Sequence, residues 1–201
     1  MVDLTDDDPI DATDIEPGAD LSGMDLSNAN LKGANLESAN FESATLDGAN
    51  FESATLDGAK FSRATLENAN FESATLENAT LDGANLIRVN LSGAFLYGAG
   101  LYDLDLSHAI LDRADLTEAF LHSANLSGAY LYGANFSMAN LRHANLSEVN
   151  LTDADLTDAD LRGANIYRAK LDKVTIGTSA GVYASLSELK RQGAVREPDD
   201  E

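Results

Sequence analysis

The feature that most constrains this chain is a period of five. Every fifth residue from Leu21 to Ile176 is Leu, Phe or Ile, without a slip. Two places before each stands a small residue, almost always Ala; the exceptions are Met24, Val89, Leu104, Val149 and Val174. Five fits neither the 3.6-residue helix nor the two-residue strand. It fits a short extended segment followed by a bend. In such a segment the Ala and the Leu, two apart, face the same side. The residue between them faces outward, and the next two turn the corner. Glycine or asparagine often takes the second corner position, as at Gly23, Gly48, Gly98, Asn28 and Asn78. These residues tolerate the positive φ of a type II turn.

A fixed short period means stacked units. The phrase Ala-(Asp/Asn)-Leu-x-x resembles that of the pentapeptide-repeat family, over residues 19–178. The resemblance implies an all-β fold: a right-handed quadrilateral parallel β-helix, a pentapeptide-repeat solenoid with four phrases per coil. That makes about eight coils, and at ~4.8 Å per strand spacing a rod roughly 38 Å long. Right-handedness also agrees with the rule for parallel crossovers. Residues twenty apart should then lie one above the other. Phe41 and Phe61 should stack on one inner face, Phe51 and Phe71 on the opposite one.

Three regions are expected. Residues 1–18 form an acidic N-terminal segment whose Ile10 and Ile15 cover the open first coil, since a solenoid end exposes apolar side chains and strand edges. Residues 19–178 are the β-helix. Residues 179–201 are a C-terminal cap helix and acidic tail. There Ser185-Leu186-Ser187-Glu188 reads as a capping box and Gly193 as a helix stop. Leu186 and Leu189 would face the last coil. In the quinolone-resistance members of the family such a helix also builds a two-fold dimer, so the resemblance implies a homodimer here.

The formal net charge is −21, from 34 Asp and Glu against 13 Lys and Arg. Direct nucleic-acid binding needs the opposite sign, and so does an anionic membrane surface. There are no cysteines, hence no disulfide or thiol chemistry. No stretch is apolar enough to span a bilayer and residues 1–18 are not signal-like, which predicts a cytoplasmic protein. Triplets such as Asn125-Leu126-Ser127 follow from the repeat and are not read as glycan acceptors. The few lysines and many acids suit a halophilic, high-salt organism.

No catalytic constellation is present, no phosphate-binding glycine loop precedes a helix, and a filled solenoid lacks a deep pocket. The chain is read as non-enzymatic, with no cofactor or metal. His108, His122 and His143 are its imidazoles; His122 and His143 should share a face near Arg142 as solvated side chains. Acids at the position after the core residue, such as Glu52 over Glu72, should repel within their columns, to be relieved by salt, a cation or a basic partner.

Sorting residues 19–178 by position modulo twenty gives four walls, named here by Leu21, Leu26, Leu31 and Leu36. The Leu36 wall carries Glu37, Asp57, Glu77, Asp115, Glu118, Asp155 and Asp158 and no Lys or Arg, whereas each other wall mixes both signs. These seven are the candidate partner-binding acidic face. A second candidate is an outward aromatic and apolar belt of Phe95, Tyr97, Tyr102, Ile110, Phe120, Tyr130 and Tyr132, which either pack on one another or touch a partner. Two functions fit. One is a structural or protein-interaction scaffold with an anionic face, its acidity mostly environmental, facing a protein partner with a basic surface. The other follows from the quinolone-resistance branch of the family, which the chain resembles: a DNA mimic that occupies the DNA-binding groove of DNA gyrase or another type II topoisomerase. Duplex DNA carries roughly 22 charges over the same ~38 Å, and the repeat region has a net charge of −12. The absence of projecting loops between coils separates this chain from many of those members.

Overall fold

The computed structural model describes residues 15–176. The C-terminal elements read from sequence, including Leu186 and Leu189, lie outside the described residues, as does Ile10. With one exception, parallel β-bridges join each outward residue to the one twenty further on, from Asp20–Asn40 to Asp155–Thr175. One coil is therefore twenty residues, and the four walls are real faces of a parallel β-helix. Coils are counted from residue 19, so the first is 19–38 and the fourth 79–98.

The ladder can be followed through one phrase. The N–H of Asn40 donates back to the Ala19 carbonyl, those of Phe41 and Ser43 donate forward to Lys60 and Ser62, and that of Ala44 closes the turn onto Phe41. One N–H per phrase, that of Glu42, finds no backbone acceptor. The Asn40 side-chain oxygen takes it at 3.1 Å. A buried or half-buried backbone N–H must find an acceptor, and this is why Asn and Asp dominate the outward position. Where the residue one coil back is Asn or Asp, the Asn also donates its Nδ2 to it, giving the ladders Asn90–Asn70–Asn50–Asn30 and Asn165–Asn145–Asn125–Asp105.

Every fifth residue from Gly18 to Lys173 has a φ between +52° and +74°. Together with the i to i+3 hydrogen bond, this is the type II pattern. Eleven of these corners are glycine, but 21 are not, and include Arg113, Met138 and Glu118. The bend is imposed by the stacked coils rather than by glycine. The corner pattern begins one phrase before the repeat read from sequence, at Pro17-Gly18, which have the ideal residues for the two central positions of this turn.

Inside, the core residues and their small partners are buried as far as Leu171, except that Ala19, Met24 and Ala29 in the first coil are half-buried. Ile15 is 5% exposed and joins the core, as the capping role requires. Phe41 and Phe61 stack with centroids 4.9 Å apart and planes 4° from parallel; Phe51 and Phe71 do so at 4.6 Å and 9°. The two columns meet edge to face across the interior, at 5.8–5.9 Å. The ladder has one gap. The rung Asn85–Asp105 is missing between Thr80–Gly100 and Asn90–Ile110. Leu104 stands on that wall where Ala44, Ala64, Ala84 and Ala124 occupy the same column, and it is 3% exposed. Its extra carbons sit in a slot sized for one methyl.

Candidate functional site

The repeat places every member of the acidic set on the Leu36 wall, in three outward columns. Asp115 and Asp155 occupy the bridged column with Phe95, through the rungs Phe95–Asp115, Asp115–Asn135 and Asn135–Asp155. Glu37, Asp57, Glu77 and Tyr97 fill the first corner column, and Glu118, Met138 and Asp158 the second. Glu37, Glu77 and Glu118 are exposed; Asp57, Asp115, Asp155 and Asp158 are half-buried.

The half-buried carboxylates are held by the rod itself. Asp115 accepts from the Thr117 N–H at 3.1 Å, the Thr117 hydroxyl at 2.5 Å and Asn135 Nδ2 at 3.2 Å. Asp155 accepts from the Thr157 N–H at 2.8 Å. Asp57 works differently. Its column neighbour Glu77 follows Thr75, whose side chain cannot accept as asparagine would, and the Glu77 N–H is taken by Asp57 Oδ1 from one coil back at 2.9 Å. The same substitution recurs on other walls, where Asp47 serves Glu67 after Thr65 and Asp112 serves Tyr132 after Tyr130, both at 2.9 Å. At these three places an aspartate in the first corner column completes the backbone of the next coil where Asn is absent there. Asp158 Oδ1 is buried and has no hydrogen-bond partner among the described residues.

This corrects the picture of acidic columns relieved only from outside. Lys32 meets Glu52 at 2.9 Å, Arg63 meets Glu42, and Arg88 lies 3.7 Å from Glu67. The Leu36 wall has no such cation, so its charge is offset only by N–H, hydroxyl and amide dipoles. At the ~4.8 Å coil spacing, two such charges in water repel by about 0.9 kcal/mol.

The seven belt residues do not form one patch. Phe95 and Tyr97 stand on the Leu36 wall, Ile110, Tyr130 and Tyr132 on the Leu31 wall, and Tyr102 and Phe120 on the Leu21 wall. All are at least 36% exposed. Most rings are matched locally. Tyr102 stacks on His122 with centroids 5.1 Å apart, and Ile110 is bridged to Tyr130. The phenols of Tyr97, Tyr102 and Tyr132 donate to Glu118, Asp82 and Asp153, and those carboxylates raise each phenol above its ordinary range.

Sequence reasoning missed Met138, the most exposed large apolar side chain, and Tyr167, 50% exposed with the Arg168 guanidinium 5.1 Å over its ring. It also missed a notch of about 400 Å³ at the corner between the Leu31 and Leu36 walls, lined by Glu72, Ser73, Ser92, Gly93, Asp112, Arg113 and Tyr132. Reading the corner columns at intervals of twenty would have found it, because Ser73, Ser92 and Gly93 leave the gap. The three histidines are scattered over two corners: His108 over Gly128, His143 over Gly163, and His122 against Tyr102. Among the described residues no group of His, Asp and Glu could hold a metal ion, and no helix is long and apolar enough to cross a membrane.

A family model described as pentapeptide repeats matches residues 17–42, 34–72, 64–101, 99–137 and 138–175, with eight copies. No curated protein matches the chain. Among solved structures, Rfr23 from the cyanobacterium Cyanothece 51142, a pentapeptide repeat protein, is 33% identical over 55% of this chain, with a TM-score of 0.40. The match spans 64% of that protein, just under two thirds. HetL, involved in heterocyst differentiation regulation in Nostoc sp. strain PCC 7120, is 32% identical over 79% of this chain and 87% of its own, at 0.26. A form of QnrB1, a plasmid-mediated fluoroquinolone resistance protein, is 24% identical over 80% and 79%, at 0.39.

Proposed function

The chain belongs to the pentapeptide-repeat family, and from that premise we propose that it is a non-enzymatic interaction scaffold that docks a basic protein surface on its Leu36 wall. One observation carries the reading: seven carboxylates and no Lys or Arg fall on one face of a rod whose other three faces mix both signs. Solubility in high salt would not require that segregation. Three of the seven, Asp57, Asp115 and Asp155, are anchored to backbone N–H groups of the rod. A pre-positioned array spends little side-chain entropy on binding and steers an oppositely charged partner at a salt-dependent rate.

The sharper form of the proposal is a partner whose basic groove otherwise holds duplex DNA, with gyrase as the test case, since the rod's net charge is within a factor of two of duplex DNA of equal length. The experiment is a pull-down with gyrase followed by a supercoiling assay across salt concentrations, repeated with Asp57, Glu77 and Asp115 all changed to Lys. The expected result is capture that weakens as salt rises and is lost in the triple variant. Absence of capture removes gyrase as the partner. Capture unaffected by the triple reversal removes the Leu36 wall as the docking face.

A further inference from the structure

The anionic wall is interrupted at the fourth coil, where Phe95 and Tyr97 replace the acids of its neighbours. They are 47% and 39% exposed. We propose that this interruption is an arginine seat: the place where a guanidinium of the basic partner packs on the Phe95 ring, ringed by Glu77, Asp115 and Glu118.

Four observations converge there. First, Phe95 stands in a ladder position, its backbone bridged to Thr75 above and Asp115 below, so the ring is carried on rigid backbone. Second, the carboxylates around it are fixed. Asp115 is held by Thr117 and Asn135, and Glu118 accepts the Tyr97 hydroxyl. Third, two other exposed rings on the rod have a cationic or π partner from the chain itself. Tyr167 has Arg168 at 5.1 Å and Tyr102 has His122, whereas the Leu36 wall contains no Lys or Arg with which to cover Phe95. Fourth, the corner notch begins two residues earlier, at Gly93 and Ser92, roughly 7 Å away at extended-chain spacing. Glu72, Asp112 and Arg113 border it, so the recess has mixed charge. A partner segment crossing the wall here meets an apolar centre with an anionic rim and a recess beside it, the layout of an interface hot spot.

Arginine is favoured over lysine on chemical grounds. A guanidinium is planar, stacks on an aromatic face, and sheds water more readily than an ammonium, while still pairing with carboxylates at its edge. Carboxylates also favour the guanidinium through bidentate pairing, so the part of the preference that depends on the Phe95 ring is what reports the seat.

Because this rests on the anionic-wall reading above, the test must separate the two. The probes are fluorescent octa-arginine and octa-lysine, with affinities measured by anisotropy at low and moderate salt. Wild-type protein should bind octa-arginine more tightly than octa-lysine. Phe95→Thr should lower that ratio about two- to fivefold, the range of one exposed cation–π contact, while changing octa-lysine binding less than twofold. Thr is the residue at the equivalent positions 55 and 75, so the variant keeps a side chain the fold already uses. Phe120→Asn, a ring removed from the Leu21 wall with the residue found at positions 40 and 140, should leave the ratio unchanged. Equal binding of both peptides by the wild type overturns the arginine seat and leaves the anionic wall standing. A preference undiminished in Phe95→Thr, or lowered equally in Phe120→Asn, also overturns the seat. Failure of both peptides to bind overturns the wall and the seat together.

Discussion

The second and third coils and the junction between the fourth and fifth are built from the same phrase, yet they differ in what fills the interior. In the former, four phenylalanines stack in two columns that meet edge to face, every small slot holds Ala, and every rung is present. At the latter the core columns hold leucine, one small slot holds Leu104, and the Asn85–Asp105 rung is lost. The difference teaches that the two inward positions are not interchangeable. The Leu position accepts a change from Leu to Phe even singly, as at Phe136, which is buried between Leu116 and Leu156 with the rungs on both sides intact. The Ala position lies where the strand backbones close on each other, and three added carbons there separate two coils.

The largest expected effect comes from the stacked region. Phe51→Ala removes one member of a stack and two edge contacts, and should cost about 3–5 kcal/mol in equilibrium unfolding. A loss below 1 kcal/mol would mean that the columns add nothing to the rod. Next come two mirror-image changes at the small slot. Ala44→Leu, in the column of Leu104, should cost about 1–3 kcal/mol by overpacking and should expose the Thr45 amide, which donates to the Met24 carbonyl, to hydrogen exchange. Leu104→Ala should cost less than the 2–5 kcal/mol usual for a buried leucine, because it lets the coils close, and should protect the Asp105 amide. A full-sized loss with no gain in protection would show that the missing rung has another cause.

The smallest effect is a pH dependence confined to the junction. Asp105 is raised by burial but lowered further by hydrogen bonds from the Ser107 side chain and N–H and from Asn125, and by His108, so that it lies below its ordinary range. A carboxyl lowered by folding stabilises the fold above its unfolded value near 3.9, and that contribution is lost as pH falls through the lower folded value. Amide exchange at residues 104–107 should therefore accelerate below about pH 4 more than exchange at residues 51–55, and Asp105→Asn should abolish the difference. Equal acceleration in both segments would assign the acid response to the rod as a whole.

Much of this molecule was written in its order of residues. The period of five set the inward and outward positions, the twenty-residue circuit, the stacked phenylalanines, and the sorting of acids onto one wall, because each depends only on which positions recur. A solenoid has few non-local contacts beyond those between consecutive coils, so its sequence is close to a map of its surface. What the sequence left open depends on how neighbouring coils answer each other. Asp57 reads as one more repelling charge, yet it supplies the acceptor that Thr75 withholds from Glu77. Ser73, Ser92 and Gly93 read as ordinary corners, yet together they open a notch. The belt read as one feature, yet it divides over three walls, leaving Phe95 and Tyr97 among carboxylates and Tyr102 stacked on His122. A hydrogen bond or a ring contact is fixed by distances of a few tenths of an ångström between side chains twenty residues apart, and those distances exist only once the coils have stacked.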